Sequence, residues 1–120
     1  MNIAALVAVG LVAAAHVYFL VLEMFLWNTP YGRKTFGTTA EFAKESAPLA
    51  ANQGLYNGFL AAGLVWGMWL GVLPGRSVLT FMLGCVAVAG VFGAATAKRT
   101  ILFVQTVPAA VALALVWLAR

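Results

Sequence analysis

Four long apolar runs govern what this chain can become. They are Ile3–Trp27, Leu49–Leu73, Ser77–Ala97 and Thr100–Leu118, and each is close to the roughly 20 residues a helix needs to cross a hydrocarbon core. Of the 120 residues 64% are hydrophobic and 8% charged, whereas a soluble domain carries about 25% charged residues to keep its surface wetted. Lipid is the expected solvent. The turns at Pro74–Arg76 and at Lys98–Arg99 are short, and short loops force neighbouring helices to run antiparallel. The expected fold is all-α: a single transmembrane domain over residues 1–120, built as an up-down-up-down four-helix bundle with short loops except the first.

That first loop runs from Asn28 to Pro48, after a break at Asn28–Gly32. In it Thr38 stands three residues before Glu41, the spacing of a capping box. This predicts a short amphipathic helix over about 39–46, with Phe36 and Phe42 dipping toward the interface. Pro48 suits the first turn of the next helix. A cleaved leader is not expected, because the apolar run has no basic segment before it and continues to Trp27.

Four spans place both termini on one side. The first and third loops hold Arg33, Lys34, Lys44, Lys98 and Arg99, and the other side holds Arg76 and Arg120. The positive-inside rule puts loops 28–48 and 98–99 in the cytoplasm and both termini outside. Trp27 and Tyr31 then mark the cytoplasmic interface, and Trp66, Trp69 and Trp117 the outer one. No basic run with interleaved aromatics suggests a nucleic-acid partner. Cys85 is the only cysteine and His16 the only histidine, so neither a disulfide nor a metal site is expected. No cofactor motif is visible.

Glycines recur at intervals of four, as Gly54 and Gly58 and as Gly63, Gly67 and Gly71, with Gly90 and Ala94 on the third run. Such rows let helix backbones approach closely in lipid, within one bundle or between copies in a homo-oligomer. No internal repeat supports an inverted-repeat transporter.

Polar residues inside the runs carry the functional reading. His16 and Glu23 are seven residues apart on the first run, close to two helical turns and so on one face. At about 1.5 Å per residue, Glu23 lies roughly 7 Å inside the cytoplasmic end and His16 about 18 Å inside. Asn52, Gln53, Tyr56 and Asn57 open the second run, Thr96 ends the third, and Gln105 and Thr106 lie near the start of the fourth. All fall at about the depth of Glu23. Asn52 and Thr96 read most simply as interhelical glue, and His16 equally as a neutral imidazole bonded to a carbonyl. Glu23 is different: a charge at a helix centre costs about 2.5–3.5 kcal/mol even on a lenient insertion scale. Lys98 or Arg99, a bound proton or water would have to relieve it. Pro108 removes the hydrogen bond to the Val104 carbonyl and should kink the fourth run beside Gln105.

Several strings resemble one family. They are Leu22–Trp27, the run from Ala50 through Asn52, Gln53, Gly54, Leu55, Tyr56, Asn57 and Gly58 to Leu60, the run Val88–Thr96, and Val104 with Gln105. The family is the small bacterial membrane proteins catalogued as domain of unknown function 1304. The resemblance implies about 120 residues, four membrane helices and a bacterial cytoplasmic membrane. It carries no established activity and hence no catalytic residues.

The functional expectation is an intramembrane polar pocket near the cytoplasmic leaflet, in contact with membrane lipid and taking a small lipophilic molecule. Glu23 would be the acid or base and His16 a second proton-transfer group. Asn52, Gln53, Tyr56, Asn57 and Gln105 would orient the ligand. An enzyme of this kind would be a cofactor-free isomerase. The alternatives are a dimeric proton-coupled exporter, with the Gly63–Gly67–Gly71 row as its dimer surface, and an accessory subunit whose polar groups only specify helix pairing.

Overall fold

The computed structural model describes residues 2–120, and among these the fold is all-helical. The elements are α1 (Asn2–Met24), α2 (Pro30–Phe36), α3 (Ala40–Leu70), α4 (Arg76–Thr96), a π-helical turn (Leu102–Thr106) and α5 (Val107–Leu118). The chain divides into two compact units, one of Met1–Ala14 with Leu60–Arg120 and the other of Ala15–Phe59. Helices α1 and α3 contribute to both.

In the unit Ala15–Phe59, α1 ends three residues earlier than hydropathy suggests. The amides of Phe25 and Leu26 both turn back to the Val21 carbonyl, and Thr29 then starts a new helix. Its backbone is extended, its Oγ1 accepts from the Gly32 amide at 3.2 Å, and Pro30 takes the first position, where its missing N–H costs nothing. The stretch read as a simple break is therefore the cap of α2. A side chain at Gly32 would collide with the Leu26 carbonyl. Gly37, at φ 67°, ends α2 in the left-handed conformation.

The separate helix expected over 39–46 does not exist as such. It is the first part of α3, which runs unbroken through Pro48. Pro48 and Lys44, whose carbonyl loses its helical partner, both lie on an exposed stretch, where solvent can serve the freed group. The cap is also one residue off: Thr39 Oγ1 accepts from the Phe42 amide at 3.1 Å, while Thr38 Oγ1 is buried without a partner. Trp27 closes the loop onto α3, donating from Nε1 to Ser46 Oγ at 3.1 Å and stacking on Phe36 at 4.7 Å. Trp27→Phe keeps the ring but loses the donor. Thermal unfolding in detergent should show it less stable by about 1 kcal/mol, with Ser46→Ala adding little on top.

The other unit holds the apolar core, in which Val9, Leu64, Leu79, Leu83, Val86, Ala112 and Val116 are buried. The glycine row of α3 is filled from within the chain. Gly63 sits against Met82 and Gly67 against Leu79, while Gly71, at φ 97°, lies past the helix end. The row is thus not the free dimer surface that the exporter alternative requires. At the start of α4, Arg76 donates to the Ala119 carbonyl at 3.0 Å and lies over the Trp117 ring, whose Nε1 donates to Thr80 Oγ1.

The irregularity expected at Pro108 takes the form of the π-helical turn just before it. The Val107 amide reaches back five residues to the Leu102 carbonyl. Pro108 then falls in the first turn of α5, so the widened turn absorbs its missing donor. The fourth apolar run is therefore a π turn joined to a short α-helix. Thr106 Oγ1 in the π turn donates to the Ala87 carbonyl at 2.9 Å, over Gly90, where a Cβ would meet the Thr106 amide nitrogen at 2.8 Å.

Two helices are long and apolar enough to cross a membrane, Asn2–Met24 and Arg76–Thr96, and Leu102–Leu118 is a shorter apolar segment. Helix α3 does not pass that test although it is the longest. Gln53, Tyr56, Asn57 and its glycines dilute its hydropathy.

Candidate functional site

Within the unit Ala15–Phe59, Glu23 and Asn57 meet. Asn57 Nδ2 donates to Glu23 Oε1 at 2.5 Å. Helix α1 brings Glu23 in its last turn, and α3 brings Asn57 on a stripe with Ala50, Gly54 and Ala61, all four of which are buried. The spacing of three to four residues keeps that stripe on one helix face. Gly54 and Gly58 make the meeting possible. A Cβ on Gly54 would stand 2.6 Å from Met24 Cγ, 3.1 Å from Glu23 Cβ and 3.2 Å from the Leu20 carbonyl oxygen. One on Gly58 would stand 2.7 Å from Leu20 Cδ1. The backbones therefore approach closely at this point, and the carboxyl and amide span the remaining gap.

The other predicted residues are placed differently. His16 is only 1% exposed and packs edge-to-face on Phe19, ring centroids 5.2 Å apart. Seven residues of helix separate it from Glu23 by about 10 Å along the axis, too far for direct proton exchange. Asn52, Gln53 and Tyr56 are exposed, unlike Asn57, which is 6% exposed. They make a polar flank on the outer side of α3, where Tyr56 touches the Phe59 ring. Gln105 belongs to the other unit, half-buried in the π turn beside Gly90. Thr96 bonds within its own helix, to the Phe92 carbonyl.

Glu23 takes the Asn57 amide as its hydrogen-bond partner. Such a partner suits both states of the carboxyl, because the N–H can donate to a carboxylate or to the carbonyl oxygen of the acid. Among the described residues no three His, Cys, Asp or Glu side chains stand close enough to hold a metal ion. A pair that sequence reasoning missed is Tyr18 and Tyr31, whose exposed hydroxyls bond to each other. Of the two, Tyr31 alone carries a signal in the sequence, as an interfacial aromatic, and Tyr18 lies within α1 and carries none.

A concavity of about 470 Å³ does exist, open to the outside and wholly apolar, in the unit containing α4. Ala87, Val88, Val91, Phe92 and Ala95 line it, and none of the predicted site residues does.

No curated protein and no solved structure matches the chain. The sequence profile of a family described as protein of unknown function (DUF1304) matches residues 10–117. That span takes in Glu23, the glycines beneath it and Asn57, and the chain belongs to this DUF1304 family.

Proposed function

We propose that this chain is a four-helix integral membrane protein whose Glu23–Asn57 pair forms the centre of an intramembrane site for a small lipophilic molecule. Support for the membrane comes from what the chain leaves uncovered. Trp69 is 82% exposed and Leu118 72%, and Phe25, Phe81, Val88 and Phe92 are also largely exposed. Apolar surface on this scale exceeds what a soluble monomer shows to water. Helices α1 and α4 have the length and composition of spans. Helix α3, with 31 residues, would extend about 46 Å and overreach the roughly 30 Å core. The segment Leu102–Leu118 is the fourth crossing in this reading.

The proposed topology has both termini outside and residues 28–48 and 98–99 in the cytoplasm. Cysteine labelling in intact cells checks it, on a Cys85→Ser background. Ser77, which is exposed, is the reporter for the outer side. Ser77→Cys should react with an impermeant maleimide and Lys44→Cys should not. The opposite pattern inverts the orientation, and reaction of both removes the membrane between them.

The single observation that carries the functional reading is the Asn57–Glu23 hydrogen bond between α1 and the glycine-thinned face of α3. A carboxyl there can give or take a proton without a cofactor, and the Asn57 amide holds it in place. Asn52, Gln53 and Tyr56 form the flank past which a ligand would enter from the bilayer. His16, two turns along α1 and out of direct reach of Glu23, would serve the ligand itself as a hydrogen-bond donor, and Gln105, in the other unit, is left out of the proposed site. Reactions that fit are proton-assisted isomerisations of a lipophilic substrate. Mass spectrometry of protein purified in mild detergent tests this. Wild type should retain a small lipophilic molecule that Glu23→Gln retains at least about ten-fold less, the loss of one charge-assisted hydrogen bond. Equal retention by two equally folded proteins would remove Glu23 from the site.

A further inference from the structure

The open apolar furrow on α4 lies far from any residue assigned above in sequence, and its own composition suggests an occupant. Ala87, Val91 and Ala95 follow one another at intervals of four, with Val88 and Phe92 beside them, so all five share one side of the helix. The two alanines keep this side low at either end, and Val88 and Phe92 are both largely exposed. From Ala87 to Ala95 the furrow runs about 12 Å along the helix axis. Nothing polar interrupts it, so a headgroup, a peptide or a sugar finds no partner there, whereas a hydrocarbon chain does.

The charge at one end of the furrow specifies the ligand further. Lys98 and Arg99 follow Ala95 by three and four residues and are exposed. The Ala97 and Lys98 amides both bond back to the Gly93 carbonyl, which holds this tight turn against the helix end. Two exposed cations thus follow the apolar stretch within four residues of the chain. Hydrocarbon against the furrow and a negative group against the pair is the charge and polarity pattern of an anionic phospholipid. Arg99 can also pair bidentately with a phosphate.

We infer that the α4 furrow and the Lys98–Arg99 turn together form a binding site for one anionic phospholipid. This rests on the reading that α4 crosses the bilayer. The site holds the lipid by its acyl chain along Ala87–Ala95 and by its phosphate on the two cations. It is distinct in residues and in chemistry from the Glu23–Asn57 pair.

The test uses the full chain in nanodiscs of a zwitterionic phospholipid, doped with increasing amounts of phosphatidylglycerol. Bound lipid is counted by native mass spectrometry after ejection into the gas phase. Wild type should retain one phosphatidylglycerol in preference to the zwitterionic lipid. Lys98→Gln with Arg99→Gln should weaken that preference by about ten- to thirty-fold, from the loss of two juxtamembrane cations. Ala95→Trp, which fills the furrow and leaves both cations, should lower retention of either lipid. Inorganic phosphate at millimolar concentration should not compete, since it has no chain to seat. The inference is overturned if the double variant keeps the preference, if Ala95→Trp retains lipid like wild type, or if free phosphate displaces it. Alkaline carbonate extraction of the same wild-type protein from cell membranes separates the two levels. Release into the supernatant contradicts the membrane reading itself, whereas retention with no lipid preference contradicts only this site.

Discussion

Gly54→Leu is expected to be the most damaging single substitution where α3 meets Glu23 and Met24 of α1. Even the first added carbon would stand 2.6 Å from Met24 Cγ and 3.2 Å from the Leu20 carbonyl oxygen. Met24 can swing aside, but the carbonyl is helix backbone and can yield only if α1 moves. Three further carbons have no space between the helices. Overpacking of this kind costs about 1–3 kcal/mol and occasionally more, and the displacement also draws Asn57 from Glu23. Gly54→Leu should therefore lose at least about 3 kcal/mol in thermal or denaturant unfolding in detergent, or fail to accumulate. Gly84→Ala is the control. A Cβ at Gly84 meets nothing within 4 Å, so this variant should be neutral or gain up to about 1 kcal/mol in helix propensity. Equal losses at both positions would mean that the close approach of α1 and α3 has no energetic role.

The second large effect is at Glu23, where shape and hydrogen bonding can be separated. Glu23→Leu fills similar space but leaves the nearly buried Asn57 amide without its acceptor. An orphaned buried donor costs about 1–3 kcal/mol, although intramembrane hydrogen bonds measured in one system average about 0.6 kcal/mol and reach about 1.7. The expected loss is accordingly about 1–2 kcal/mol. Glu23→Gln keeps an oxygen for Asn57 and should stay within about 0.5 kcal/mol of wild type, while losing any step that moves a proton. In the double variant Glu23→Leu with Asn57→Leu neither group is orphaned, and stability should largely return. A double variant as unstable as the sum of its singles would indicate that the two residues act independently.

How far the sequence alone reaches differs from element to element. Helix α4 was readable to within a residue, because Gly75 and Arg76 start it and Lys98 follows its end. The end of α1 was not readable, because the apolar run continues through Phe25, Leu26 and Trp27 while the backbone has already turned. The signal was Thr29 followed by Pro30, a helix start that looked like a break. Pro48 misled in the other direction, since proline inside an exposed stretch of helix need not end it. That Glu23 and Asn57 lie at one depth followed from counting residues from the helix ends, but that they pair did not. The facing of Asn52, Gln53 and Tyr56 did not, and the reason is physical. In a chain surrounded by lipid the outer face is as apolar as the inner one, so periodicity cannot tell which polar residue looks inward. The inward stripe of α3 is marked by small residues instead, Ala50, Gly54 and Ala61, and Asn57 lies on it. The Gly63–Gly67 row was legible as a packing surface, but Met82 and Leu79, which fill it, could not be identified without coordinates.

The most direct test of a lipid-accessible carboxyl at the Glu23–Asn57 site is modification by two carbodiimides, one lipophilic and one confined to water. Both add to a protonated carboxyl, and peptide mass spectrometry locates the product. Glu41 and Glu45 are exposed at the start of α3 and report on the aqueous route within the same molecule. The lipophilic reagent should label Glu23 in preference to Glu41 and Glu45, and the water-soluble reagent should label those two and spare Glu23. Asn57→Leu should change the rate at Glu23 alone. Labelling of Glu23 by the water-soluble reagent as readily as Glu41, or no labelling of Glu23 by the lipophilic one, would contradict a carboxyl that meets its ligand from the bilayer.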